Sequence, residues 1–458
     1  MKIAMPNTEH IRAFFRKIFV SDRTRFALNL VWLLVVLGLA IWIEVPHVMR
    51  PPRGKCASGA QTETEVSAST YSSLVSGGYI GVRSRRVTIV PLEEGEEPDK
   101  VLNNVCEQRW YVAKLVRRLS DAAAAVIVID KTFAPDSCDE GDAGTLALIS
   151  AVQGSGRPIV AAVSTHLLSE DPKGACLVLG PSLDFGRKRS SNGTPSEEAA
   201  VYLGSSRLNV DFRKVPIFWN VYGSEEAFKT GAEPNEDVVE TLPYLAATLA
   251  DPGLKQERRL NDIRSNGEHP FTGFINPDAL SRLNALDFLC AGPDREEIEA
   301  RYSIKCAASK GVGQAAGGQV FVIGEDVPGK DRHELFGNDV PGMYLQANYI
   351  ESLLEGRYLR RLGAGWDIAM LVLWVAVLYL LFWLLRPELA LLICVALGAA
   401  IWFGITQLVM WEGMYPEVWL TRLGLIALVL KYADARGHLL VEPIREAIAK
   451  RSARTSER

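Results

Sequence analysis

The sequence predicts an α/β domain on a mainly parallel sheet, joined to α-helical transmembrane segments, one N-terminal and three C-terminal. Three observations carry this. Strand-like and helix-like stretches alternate through the middle of the chain. Long uncharged apolar runs lie near its two ends. Charge divides in the same way, with an acidic middle and basic ends. The chain has 458 residues, 48% hydrophobic and 23% charged, which excludes a disordered or collagen-like protein. Its 50 basic and 54 acidic residues leave a net charge of -4. That is not the global basic field of a nucleic-acid binder, so no nucleic-acid partner is expected.

Residues 1–25 carry Lys2, Arg12, Arg16, Lys17, Arg23 and Arg25 against Glu9 and Asp22, and read as a cytoplasmic tail. Residues 26–43 (FALNLVWLLVVLGLAIWI) are uncharged and just long enough for about 30 Å of hydrocarbon. A cleaved signal peptide needs small residues at its exit. Ile41-Trp42-Ile43-Glu44 is bulky instead, so an uncleaved signal anchor is expected. Residues 368–385 form a second apolar run, broken by Arg386-Pro387-Glu388, and residues 389–411 a third. Residues 415–432 are a weaker fourth. Arg422 lies inside that run, where a charge costs about 2.5–3.5 kcal/mol on insertion scales. Four spans return the basic tail 433–458 to the cytoplasm, and three would leave it outside. Arg422 then either snorkels to the outer interface or makes a polar contact within the helix bundle. Residues 44–367 are left as one large outside domain.

Within that domain, residues 45–71 are rich in Pro, Gly, Ser and Thr and read as linker. Residues 82–92 read as a strand around the β-branched Val87-Thr88-Ile89-Val90. Residues 103–119 have helical period, with Val105, Val112, Leu115, Val116 and Leu119 on one stripe. Residues 125–130 are apolar without alternation, as in a strand covered on both faces. Residues 142–153 read as a helix ended by Gly154-Ser155-Gly156, and residues 158–164 as another buried strand. Residues 319–324 are a third such strand and residues 342–354 a helix. Strand–helix–strand alternation implies right-handed crossovers and a largely parallel sheet.

Cys394 falls inside the third span and reads as a small apolar packer. Cys56, Cys106, Cys138, Cys176, Cys290 and Cys306 all lie in the outside domain, an even count that reads as a disulfide set. Sequence neighbours suggest Cys290–Cys306 and Cys138–Cys176. No Cys-x-x-Cys pair occurs and no histidine sits at ligand spacing, so neither a metal nor another cofactor is expected.

Ligands of parallel sheets sit beyond the carboxyl ends of the strands. The residues expected there are Asp130, Lys131, Ser164, His166, Gly324 and Asp326, with Asp331, Arg332 and His333 on the following loop. Of these, Asp130, His166, Asp331, Arg332 and His333 are the candidate ligand set. Asp130 could bind a cation or cap its own loop. Asp331-Arg332-His333 could be an ion-pair turn or a metal site. Ser164, His166 and Asp130 offer the residue types of a hydrolase, but no Gly-x-Ser-x-Gly elbow surrounds Ser164. No phosphate loop, dinucleotide fingerprint, kinase or metalloprotease motif is present, so no enzyme and no catalytic residue is expected. Residues 311–318 (GVGQAAGG) follow no strand and read as a flexible loop.

The stretch Gly318-Gln319-Val320-Phe321-Val322-Ile323-Gly324, then Asp331-Arg332-His333, then 340–350 (VPGMYLQANYI) and Leu353-Leu354-Glu355-Gly356 resembles the C-terminal signature of the CHASE type-2 domain. This is the second family of cyclase- and histidine-kinase-associated extracellular sensory domains. The strand 126–130 after the helix 110–119 resembles its middle region, and three closely spaced spans after the domain are also its habit. The likeness covers roughly residues 83–432. The first strand departs from it, ending Val90-Pro91-Leu92 rather than in an acidic pair, and residues 181–268 form a long, poorly matched insert.

The resemblance implies a bacterial inner-membrane sensor, multi-pass, with its large domain in the periplasm. Such domains usually feed a catalytic output beyond the last span. Here only residues 433–458 follow, so signalling through a separate partner is expected. A scaffold subunit of an envelope complex is the alternative. Expected partners are the lipid bilayer, a protein in the membrane or cytoplasm, and a second copy of the chain. Arg357, Arg360 and Arg361, together with Arg422, are the candidates for coupling the domain to the membrane segments.

Overall fold

The computed structural model describes residues 83–139, 141–169, 176–180, 182–185, 201–208, 214–222, 238–265, 270–273, 275–306, 317–335 and 338–361, with scattered positions between 369 and 415. The chain divides into two compact units, Pro52–Arg360 and Met1–Pro51 with Arg361–Arg458.

Pro52–Arg360 is an α/β unit. Its main sheet contains β1 (Val87–Glu93), β2 (Val126–Asp130), β3 (Ile159–Val163), β6 (Val201–Ser205), β10 (Ser281–Arg282) and β11 (Val320–Asp326). Their order across the sheet is β10-β1-β11-β2-β3-β6, and every neighbouring pair is parallel. Four of these strands are the runs picked out by their continuous apolar character, and they are buried on both faces. Ile127, Ile129, Phe321 and Ile323 pack in one core cluster with helices α2 (Val105–Asp121), α3 (Ala143–Gly154), α6 (Ala285–Cys290) and α7 (Arg295–Tyr302). The alternate residues Val126, Val128, Val320 and Val322 are equally buried but lie outside that cluster. They face the other layer, helices α4 (Leu242–Ala250) and α8 (Gly342–Leu354). Small helices α1 (Asp99–Asn103) and α5 (Arg258–Ser265) are also present.

Side-chain caps open two of the core helices. Asn104 Oδ1 accepts from Cys106 N at 2.9 Å and opens α2, and Asp142 Oδ2 accepts from Thr145 N at 2.8 Å and opens α3. All 13 residues of α8 are buried. Several of its polar members bond the chain around them: Asn348 Oδ1 accepts from Ile275 N at 3.0 Å, Ser352 Oγ from Gly273 N at 3.1 Å, and Gln346 Nε2 donates to Ser206 O at 2.6 Å.

The structure differs from the sequence reading in three places. β11 runs on to Asp326 and β1 to Glu93, because the two strands pair through Leu92↔Glu325 and Glu93↔Asp326. Gly324 and Asp326 are therefore strand residues. A second sheet forms from β4 (Thr165–Ser169), β5 (Cys176–Leu179) and, within the long insert, β7 (Phe218–Tyr222) and β8 (Val238–Glu240), in the order β4-β5-β7-β8. Cys138 bonds Cys106, not Cys176. Two short antiparallel pairs remain: β12 (Arg332–Leu335) with β13 (Asn338–Pro341), and β9 (Phe271–Thr272) with β14 (Tyr358–Arg361).

The described positions within 372–384 and 389–400 are helical. No helix among the described residues is long and apolar enough to cross a membrane. The expected anchor 26–43, the linker 45–71, residues 416–432 with Arg422, and the tail 433–458 lie outside the described residues.

Candidate functional site

The carboxyl ends of β1, β11 and β2 stand side by side, with Gly324 opposite Asp130 and Pro91 opposite Gly324 in register. α8 begins beside them. Glycine is required at 324: a Cβ there would lie 2.8 Å from Met343 Cβ. A side chain at Gly342 would collide with the Asp331 carboxylate. Asp331 itself takes a left-handed backbone (φ 44°), and its carbonyl accepts from Gly342 N at 2.9 Å. The start of α8 is thus closed by Asp331 from the loop after β11.

Four of the five candidate ligand residues meet at this edge. Arg332 Nη2 bonds Asp326 Oδ1 at 2.6 Å, and His333 Nε2 lies 3.0 Å from Asp331 Oδ1. Arg332 and His333 open β12, and their side chains contact the neighbouring acids Asp326 and Asp331. Asp130 is half-buried at the end of β2. Burial, with the charge of Asp331 added, pushes its carboxyl up to about 8, so it is mostly protonated at neutral pH and can donate a hydrogen bond. His166 is apart from these: it lies in β4 of the second sheet, opposite Val178, and its side chain is outside the described residues.

The edge also holds groups that local sequence pattern does not single out. Glu325 is gripped by Lys131 and by Gln108 Nε2 at 2.7 Å. Burial raises its carboxyl, but these donors more than offset that and leave it below its ordinary value. Arg282 pairs with Glu93 and lies 3.7 Å from Glu96. Tyr344 is raised by burial, and its hydroxyl bonds Asp326. Each of these comes from a different segment, so no local spacing announces them.

Among the described residues one group has metal-ligand geometry, Cys106, Cys138 and Asp142. The two sulfurs are bonded to each other and Asp142 is engaged as the cap of α3, so this group offers no thiolate pair. The second bridge is Cys290–Cys306, as sequence proximity suggests, and Cys394 is free.

No family model, curated protein or solved structure matches this chain.

At the opposite edge the two ends of the unit are tied together. Buried Glu351, in the last turn of α8, accepts from Ser84 Oγ at 2.9 Å, Arg85 N at 2.9 Å and Arg86 N at 3.3 Å. Arg357 Nη2 lies 3.7 Å from the same carboxylate. Arg360 and Arg361 are in β14, with side chains outside the described residues.

Proposed function

We propose that the chain is a bacterial inner-membrane receptor-like protein. Its periplasmic α/β domain binds a ligand or a protein, and a separate partner carries the signal onward. The observation that carries this reading is the Glu351 clamp. Ser84, near the start of the described residues, and Arg357, near the end of the unit, lie at one edge, the amino edge of the sheet, while the carboxyl edge is left for a ligand. A domain inserted between two membrane anchors needs this arrangement.

Two further features support it. Apart from Leu146, the exposed large apolar side chains among the described residues are Val372, Leu373, Leu380, Leu389, Leu392 and Leu397, all within the second and third apolar runs. Exposed apolar side chains in these runs fit contact with lipid. The two disulfides fit an oxidising compartment. The resemblance to the CHASE type-2 domain supplies the sensory role. Asp130, Asp331, Arg332 and His333 are its ligand-facing residues, and no catalytic role is proposed for them or for His166. A ligand here shifts the domain between arrangements only by its differential affinity for them.

The test is a pull-down from membranes in mild detergent, read by mass spectrometry. A co-purifying kinase or cyclase is expected. Recovery of envelope-assembly proteins alone would favour the scaffold reading.

A further inference from the structure

Three segments far apart in sequence converge at the amino edge: 83–86, 251–259 and 351–358. Arg86 Nη1 donates to Leu354 O at 3.5 Å and pairs with Asp251 at 3.7 Å. Arg259 Nη2 donates to Gly356 O at 3.3 Å, and its guanidinium lies 4.2 Å from the centre of the Tyr358 ring. Asp251, Glu257 and Glu351 are each engaged, by Arg86, Arg259 and Arg357. Glu355 is the remaining acid, exposed beside them. Arg83, Arg85 and Arg258 are exposed, and among the described residues their side chains have no hydrogen-bond or ion-pair partner. The internal pairs fix the scaffold, and three cations are left pointing outward from it.

We infer that this arginine face binds anionic phospholipid headgroups and so seats the domain on the bilayer surface. The inference rests on the membrane reading above. Charge complementarity selects the occupant, because guanidinium groups grip phosphate bidentately and bind less to zwitterionic lipid. Chain length selects it over a soluble acidic partner. The apolar run 368–385 starts seven residues after Arg361, a length that extends at most about 25 Å. The face is therefore kept within reach of headgroups. Long translocated domains escape the positive-inside bias, so a basic face outside is allowed when lipid phosphate neutralises it.

The test uses the purified full chain in mild detergent. It is titrated with phosphatidylglycerol or with phosphatidylcholine, and thermal stabilisation of the domain is the readout. The expected result is a saturable, salt-sensitive response to phosphatidylglycerol only. Arg83→Gln, Arg85→Gln and Arg258→Gln together should weaken it by on the order of 100-fold, at about fivefold per arginine near an anionic surface. Lys100→Gln with Lys330→Gln, exposed cations outside this cluster, should leave it unchanged. Equal responses to the two lipids, or an unchanged response in the triple variant, would overturn the inference. So would tight binding of a nucleic acid or acidic protein by the same arginines in preference to lipid. Fractionation of lysed cells separates the two claims. A chain found in the soluble fraction sinks the membrane reading, whereas a membrane-bound chain with a lipid-insensitive triple variant sinks this inference alone.

Discussion

Glu351 Oε2 accepts a hydrogen bond from Ser84 Oγ at 2.9 Å, joining two residues 267 positions apart. Ser84 Oγ also lies 2.5 Å from Val87 O, so the residue closes the start of β1 onto the end of α8. The carboxylate takes its donors from three consecutive residues, which makes it the keystone of the amino edge. Glu351→Ala leaves buried donors without an acceptor. It should cost about 3 kcal/mol, the upper range for hydrogen bonds to a charged group. Chemical denaturation of the full chain in detergent measures this, and limited proteolysis near Arg83 and Arg85 should accelerate. Unchanged stability would mean that the clamp is idle.

The disulfide pairs make a separate claim. Alkylation without reduction should leave Cys106, Cys138, Cys290 and Cys306 unlabelled, and peptide mapping should join Cys106 to Cys138 and Cys290 to Cys306. Cys394 should label once the protein is denatured. Cys290→Ser with Cys306→Ser should destabilise by about 2–4 kcal/mol. A peptide joining Cys138 to Cys176 would contradict the observed pairing.

How much of this was legible depends on range. The helix at 342–354 could be bounded to the residue because Pro341 cannot continue a helix inward and Glu355-Gly356 ends it. β2 was legible because burial on both faces demands an unbroken apolar run. β4 was not. Thr165-His166-Leu167-Leu168-Ser169 is short and mixed, and its order comes from pairing with β5. The Cys106–Cys138 bridge is topological: α2 starts at the carboxyl edge after β1, and the loop carrying Cys138 emerges at the same edge after β2. Pairing Cys138 with the next cysteine along the chain, Cys176, overlooks the crossover that brings Cys106 to it. At the candidate site, Asp130 and the 331–333 segment could be placed from strand ends, whereas Glu325, Arg282 and Tyr344 are brought there only by tertiary packing.

Glu97 gives a pH prediction. It is buried beside Tyr111, whose hydroxyl donates to it. Burial dominates and raises its carboxyl from 4.5 to about 7, despite that hydrogen bond. The folded state therefore holds a proton that the unfolded chain has already released. Stability from this group is full below about pH 4.5 and is lost as pH rises through 7, a change of about 3 kcal/mol. Glu97→Gln should remove that slope and make the domain more stable than wild type at pH 8. Asp130 is raised for the same reason, so Asp130→Asn should flatten the remaining fall up to about pH 8. Denaturation midpoints at pH 5, 6, 7 and 8 for the three proteins check both. A wild-type midpoint that rises from pH 5 to 8, with Glu97→Gln parallel to it, would contradict the assignment.

Topology is the remaining prediction. Basic residues flank the first apolar run on its N-terminal side, and the tail 433–458 is basic, so both ends should be cytoplasmic and the domain outside. Alkaline phosphatase folds actively only after export. Fused within 311–318 it should be active, and fused after Arg458 inactive. The Arg422 run decides the parity: with residues 415–432 spanning, the count is four and the tail is inside. Arg422→Leu should then leave the C-terminal fusion inactive, because a more apolar run spans at least as well. Activity after Arg458 in the native sequence would reduce the count to three and make residues 415–432 interfacial. Activity at neither fusion point, with the chain still in the membrane fraction, would put the domain inside and overturn the periplasmic assignment.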